Sequence, residues 1–140
     1  MKTRAFVLTI VLLIAVPLSF ADDKISIDDI YGTWVNPDYN EKGQYAKWVD
    51  HPDGTYELYS VMDYPEPTYT GKETITGSWY DKEGNLWVRW TYLNTVGEFG
   101  YGLYKFSDSG KVRESVWSGV DYPDEMSPIG GNYSIHYRQE

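Results

Sequence analysis

Two histidines, His51 and His136, are the only side chains whose ordinary pKa lies near neutrality, and the chain has no cysteine. A hydrolytic nucleophile needs a base within hydrogen-bond reach and a third group to orient that base. Neither histidine has such company in its stretch of chain. His51 precedes Pro52-Asp53-Gly54, and His136 alternates with Ile135 and Tyr137. A three-ligand zinc site would take both histidines and a carboxylate, and no spacing assembles them. Acidic residues number 21, yet none form the Asp-x-Asp-x-Asp-Gly ladder of a calcium loop. Two carboxylates at the right separation could hydrolyse a glycosidic bond, so an unrecognised small hydrolase or isomerase stays open as a third reading. No catalytic residue, metal ligand or cofactor is assigned.

Binding chemistry is better represented. Long polar stretches carry Asp38, Glu41, Asp63, Glu66, Glu98, Asp121, Asp124 and Glu125 among Tyr39, Tyr64, Tyr69, Phe99 and Tyr122. Rings interleaved with carboxylates suit a cationic or amphipathic guest, through ring faces and long-range attraction. Asp63-Tyr64-Pro65-Glu66 recurs as Asp121-Tyr122-Pro123-Asp124, although Asp and Pro are also ordinary loop formers.

These stretches need a frame. Strand-like runs rich in Tyr, Trp, Val, Thr and Ile fill most of the chain. Compact turns join them at His51-Pro52-Asp53-Gly54, Asp81-Lys82-Glu83-Gly84-Asn85 and Asp108-Ser109-Gly110. The other connections are long. The spacing predicts eight strands: Gly32–Asn36, Tyr45–His51, Thr55–Asp63, Lys72–Tyr80, Leu86–Asn94, Phe99–Ser107, Lys111–Val120 and Tyr133–Gln139. Ser26 to Ile30 reads as one capped helical turn before them. Eight antiparallel strands in up-and-down order close into a β-barrel. Short turns then gather at a floor and long loops at a mouth.

Period-two alternation selects the inner face. Leu86, Val88, Trp90 and Tyr92 point inward on one strand, and Ile75 and Trp79 on the strand before it. Trp48, Leu58 and Met62 share a face across the first tight turn. Together with Tyr64 and Tyr122 from the loops, these make a candidate ligand set of Trp48, Leu58, Met62, Tyr64, Trp79, Trp90, Tyr92 and Tyr122. Asp63, Glu66, Asp121, Asp124 and Glu125 form a candidate acidic rim. An eight-stranded interior is either filled by side chains or holds one small ligand.

Residues 1–21 read as a secretory signal peptide. Lys2 and Arg4 precede an apolar run broken by Pro17, and Ser19 and Ala21 offer small residues at a cleavage site. The run is shorter than the roughly 20 residues of a membrane span. Residues 22–140 then form one domain, secreted or periplasmic. Its 12 basic residues less Lys2 and Arg4, against 21 acidic, give a net charge of −11. Such a surface repels nucleic acid and anionic membranes.

Ile30-Tyr31-Gly32-Thr33-Trp34-Val35, with its short turn and Gly-x-Trp, resembles the opening of the lipocalin superfamily. Lys47-Trp48 followed by Pro52-Asp53-Gly54-Thr55-Tyr56 is similar to the second hairpin of small bacterial lipocalin-like proteins. The resemblance implies that Gly32 and Trp34 lie at the closed floor, with Arg138 of the last strand across the indole. It also implies a binding protein rather than an enzyme. The first reading is a small apolar or amphipathic ligand, cationic ones included, held in the mouth. The alternative is a protein-interaction or inhibitor module that uses the acidic Tyr/Pro loops around a filled barrel.

Overall fold

A computed structural model describes residues 24–37, 46–60, 63, 65–127 and 132–140. Residues 1–21, Asp38, Tyr39, Glu41, Met62 and Tyr64 lie outside the described residues. Eight strands are present: β1 (Gly32–Val35), β2 (Lys47–Asp50), β3 (Thr55–Tyr59), β4 (Tyr69–Tyr80), β5 (Leu86–Asn94), β6 (Phe99–Ser107), β7 (Val112–Ser118) and β8 (Tyr133–Gln139). Each pairs antiparallel with its neighbour in sequence, and β1 pairs with β8 to close the barrel.

The tight turns are fixed by side chains that take backbone N–H groups. Asp53 accepts from Thr55 N–H at 2.9 Å and from its hydroxyl at 2.6 Å. Asp81 accepts from the N–H groups of Glu83 at 3.0 Å and Asn85 at 2.9 Å. These turns and Asp108–Gly110 lie at one end of the up-and-down sheet, so the β1–β2, β3–β4, β5–β6 and β7–β8 connections lie at the other.

The chain enters across the floor. Ser26 caps a 3-10 turn over Ile27–Asp29, and the Asp29 carboxylate accepts from Ser26 N–H in return. This capping box presents Ile25 and Ile30 to the barrel, where both are buried. Trp34 is wholly buried and donates its ring N–H to Ile30 O at 3.2 Å. The Arg138 guanidinium carbon lies 4.8 Å from the Trp34 ring centroid, directly across the β1–β8 register. Arg138 also donates to the carbonyls of Gly110 and Asp29, tying the last strand to the entering segment.

The core is a stack of rings. Trp34, Trp48, Tyr56, Trp90, Tyr104 and Phe106 are all buried. Each fully buried aliphatic or aromatic side chain contributes on the order of 1.5–3 kcal/mol. Gly102 makes room for this packing: a Cβ there would lie 2.1 Å from the Trp90 ring, so the indole rests flat on bare backbone.

Candidate functional site

At the mouth end the ring stack parts into a cavity of about 250 Å³. Trp48 on β2, Tyr56 and Leu58 on β3, Trp90 and Tyr92 on β5, and Trp117 on β7 face it. Alternation puts these residues on the inner face because their strand neighbours, such as Val49, Glu57 and Thr91, point out. Trp48 meets Trp90 and Trp117 edge-on, at centroid distances of 5.9 and 6.2 Å. Tyr69 of β4 adds a further ring.

The cavity has a polar lip. Asn94 ends β5 and is buried; its amide donates to a Glu98 carboxylate oxygen at 2.6 Å. Glu98 N–H returns a bond to the Asn94 side-chain oxygen at 2.8 Å. The β5–β6 loop is therefore locked with a carboxylate at the edge of the aromatic walls. Burial, then the nearby Glu98 charge, raise the Tyr92 pKa, so its hydroxyl stays protonated and able to donate.

Below this cavity the barrel turns polar. Arg113 on β7 is completely buried, and its Nη1 donates to Asp50 Oδ2 at 2.5 Å. The guanidinium carbon lies 4.8, 4.9 and 4.5 Å from the ring centroids of Trp34, Trp48 and Tyr104. Cation–π attraction in a desolvated setting is worth roughly 2 kcal/mol and offsets part of the cost of burying the charge. Tyr104 donates to Glu73 Oε1 at 2.8 Å. Burial, then the Asp50 charge, hold the Glu73 carboxyl well above the usual range. Burial also raises Asp50, against the pull of Arg113. His136 is pushed down by burial and by Arg113, which makes it a neutral core imidazole. It carries no nucleophile: its ring nitrogen reaches Ser134 Oγ at 3.5 Å, the long limit of a hydrogen bond.

Among the candidate ligand residues, Trp48, Leu58, Trp90 and Tyr92 converge on the mouth cavity. Trp79 does not. It is 41% exposed and stacks on Trp87 outside the barrel, at 6.0 Å and 10° between planes. The cause is a bulge. Ile75 pairs with Trp90, but Gly77 pairs with Arg89, so Thr76 is an extra residue. One inserted residue turns every later side chain to the opposite face. Ile75 thus shares the inner face with Trp90, while Trp79 joins the outer one. Tyr122 is also misplaced by the sequence reading. Its hydroxyl bonds Thr76 Oγ1 at 2.7 Å and its ring packs on Tyr101 at 4.9 Å, so it lies on the outer wall.

The acidic rim divides in the same way. Asp63 and Glu66 stand in the β3–β4 connection, and Asp63 is occupied by the hydroxyls of Thr68 and Ser60 at 2.7 and 2.9 Å. Asp121, Asp124 and Glu125 are exposed in the loop that carries Tyr122 to the outer wall.

Comparison with known proteins returns nothing: no family model matches the chain, and no curated protein or solved structure is significantly similar to it. The barrel and its sites therefore stand on their own geometry.

Sequence reasoning missed Tyr56, Trp117 and Asn94 at the mouth and Arg113, Asp50 and Glu73 beneath it. Tyr56 and Trp117 keep strict alternation with Leu58 and Ser115, and that period was available. Arg113 gave the opposite signal. On β7 the apolar positions Val112 and Val116 are half-buried, whereas Arg113 and Ser115 take the interior.

Proposed function

We propose that this chain is an exported, lipocalin-like binding protein that holds a small apolar or amphipathic ligand non-covalently in the barrel mouth. The observation that carries this reading is the 250 Å³ cavity, whose walls are rings and whose lip holds Asn94 and Glu98. Drug-sized pockets span about 300–1,000 Å³, so the guest is at the small end: one ring or a short chain. Its apolar part lies against Trp48, Trp90 and Trp117. A donor or cationic end faces Glu98. Fold alone does not choose the ligand; the lining does.

The test is native mass spectrometry of protein purified from its own host, with Leu58→Trp as the filled-pocket control. Overpacking into a partly empty site costs about 1–3 kcal/mol, so the variant folds. The expected result is a small adduct on the wild type that is missing from the variant. An identical spectrum for both proteins refutes the reading. A protein-interaction module remains the second reading, supported by the exposed outer face where Trp79 is 41% and Phe99 50% accessible.

A further inference from the structure

A second cavity, about 270 Å³ in volume, opens through the barrel wall near the floor. Its origin is a mismatch in strand length. Pairing of β3 with β4 ends at Thr55–Lys72, followed by one backbone bond from Glu73 N–H to Gly54 O at 2.8 Å. β4 continues to Tyr80 without a β3 partner. The gap lies between the β2–β3 turn and Thr74–Ile75, and it reaches the half-buried Glu73 and, in the interior, Asp50, Trp90 and Tyr104.

The gap is lined by more carboxyl groups than cations. β2 contributes Asp50, the following turn His51 and Asp53, β4 Glu73, β6 the Tyr104 phenol and β7 Arg113. Arg113 is the buried cation of the group and is engaged by Asp50. Asp50 is only 7% exposed; the Trp48 indole N–H lies near its carboxylate, but Oδ1 receives no hydrogen bond of good geometry. An acceptor in that state costs roughly 1–3 kcal/mol until a donor arrives. The adjoining walls are ring faces, from Tyr31, Trp90, Tyr104 and Phe106.

We propose that this floor cavity is a second binding site, separate from the mouth, for a small alkylammonium ion whose N–H groups meet Asp50 and Glu73. Rings beside carboxylates are the chemistry that recognises organic cations. A metal ion fits less well: among the described residues no three carboxylate or imidazole side chains group as its ligands. The cation also supplies a counter-charge to ionised Glu73. Burial and the Asp50 charge raise the Glu73 pKa, so below that folded value an entering ammonium ion displaces a proton from the carboxyl. Below the folded pKa of Glu73, binding therefore releases a proton and tightens as pH rises towards that value.

The experiment is calorimetric titration of the full chain with n-butylammonium and, separately, with n-butanol. Butylammonium is expected to bind at least about tenfold tighter than the alcohol, with heats that depend on buffer ionisation. Glu73→Gln keeps an acceptor for Tyr104 but cannot ionise, and should weaken the amine about tenfold or more. Ile75→Lys places a competing cation at the half-exposed entrance and leaves the Arg113–Asp50 pair untouched; it should weaken the amine similarly. Val120→Ser, on the exposed stretch after β7 and away from both cavities, should leave amine affinity unchanged. The proposal is overturned if the alcohol binds as tightly as the amine, if neither binds, or if both floor variants bind the amine like the wild type.

Discussion

The two ends of this barrel solve the problem of an incompletely filled interior in opposite ways, with Trp90 lining both cavities. At the mouth the walls are rings, and the polar groups at the lip bond each other through Asn94 and Glu98. Near the floor a guanidinium and the Asp50 carboxylate are enclosed beside the half-buried Glu73, and Asp50 Oδ1, Arg113 Nε and Arg113 Nη2 receive or make no hydrogen bond of good geometry. Ring packing is stabilising and tolerant of change. A buried ion pair contributes little net stability, yet losing one partner is severe. The comparison therefore predicts that stability is sensitive at the floor and that guest capture at the mouth can be altered at lower cost.

The largest effect should come from Arg113→Ala. It strands Asp50 in the interior and should cost about 3–5 kcal/mol, measured by urea denaturation. The double variant Arg113→Met with Asp50→Leu should recover most of that loss, because apolar groups of similar volume need no counter-charge. A double variant as unstable as Arg113→Ala would show that the ion pair, rather than its orphaned half, holds the floor together.

Next comes Trp117→Ala at the mouth. Full burial of a tryptophan gives losses of about 3–5 kcal/mol on truncation. Trp117 is only half-buried, so roughly half that figure is expected. Any mouth ligand should be lost from this variant while the floor stays intact. A stability loss equal to that of Arg113→Ala would erase the contrast between the two ends.

The barrel, the Trp34–Arg138 pair at its floor and part of the mouth lining were legible in the sequence; the buried polar cluster around Arg113 was not, for identifiable physical reasons. β5, β6 and β8 carry the predicted boundaries because Asp and Gly turns punctuate them. Leu86, Val88 and Trp90 are buried as their alternation requires. Trp34 and Trp79 follow the same Gly-x-Trp pattern, yet one is wholly buried and the other 41% exposed. No residue type announces the bulge at Thr76 that separates them. Arg113 was invisible because strand patterning sorts polar residues to the outside. Its burial depends on Asp50 and three rings from distant strands, which no local period encodes. The long loops were found, but not the turn that carries Tyr122 against the outer wall.

A pH titration sharpens the floor side of the contrast. Glu73 has a folded pKa raised well above 4.5. Its protonated form is the one the folded state prefers. The associated stability is present at low pH and is lost as pH rises from the ordinary carboxylate range through the folded value. Glu73→Gln removes that decline, so its advantage over the wild type should grow with pH. A constant difference between the two proteins across the titration would mean that Glu73 is already ionised and solvated.

The smallest effect expected is at Asp81, a half-buried carboxylate with the opposite sign. Its Oδ2 accepts from the Trp87 ring N–H at 2.8 Å and from the Asn85 amide at 2.9 Å. The Trp87 bond, aided by the turn's N–H groups, lowers its pKa from 3.8 to about 2. Here the charged form is favoured in the fold, so the contribution is present above 3.8 and disappears as pH falls through about 2. Asp81→Asn turns one acceptor into a donor facing other donors and should lower the melting temperature slightly at neutral pH. The difference from wild type should vanish in strong acid, and the Trp87 indole resonance of the wild type should titrate with a midpoint of about 2. An indole signal that moves with the ordinary carboxylate pKa would show that the turn does not hold Asp81 in its charged form.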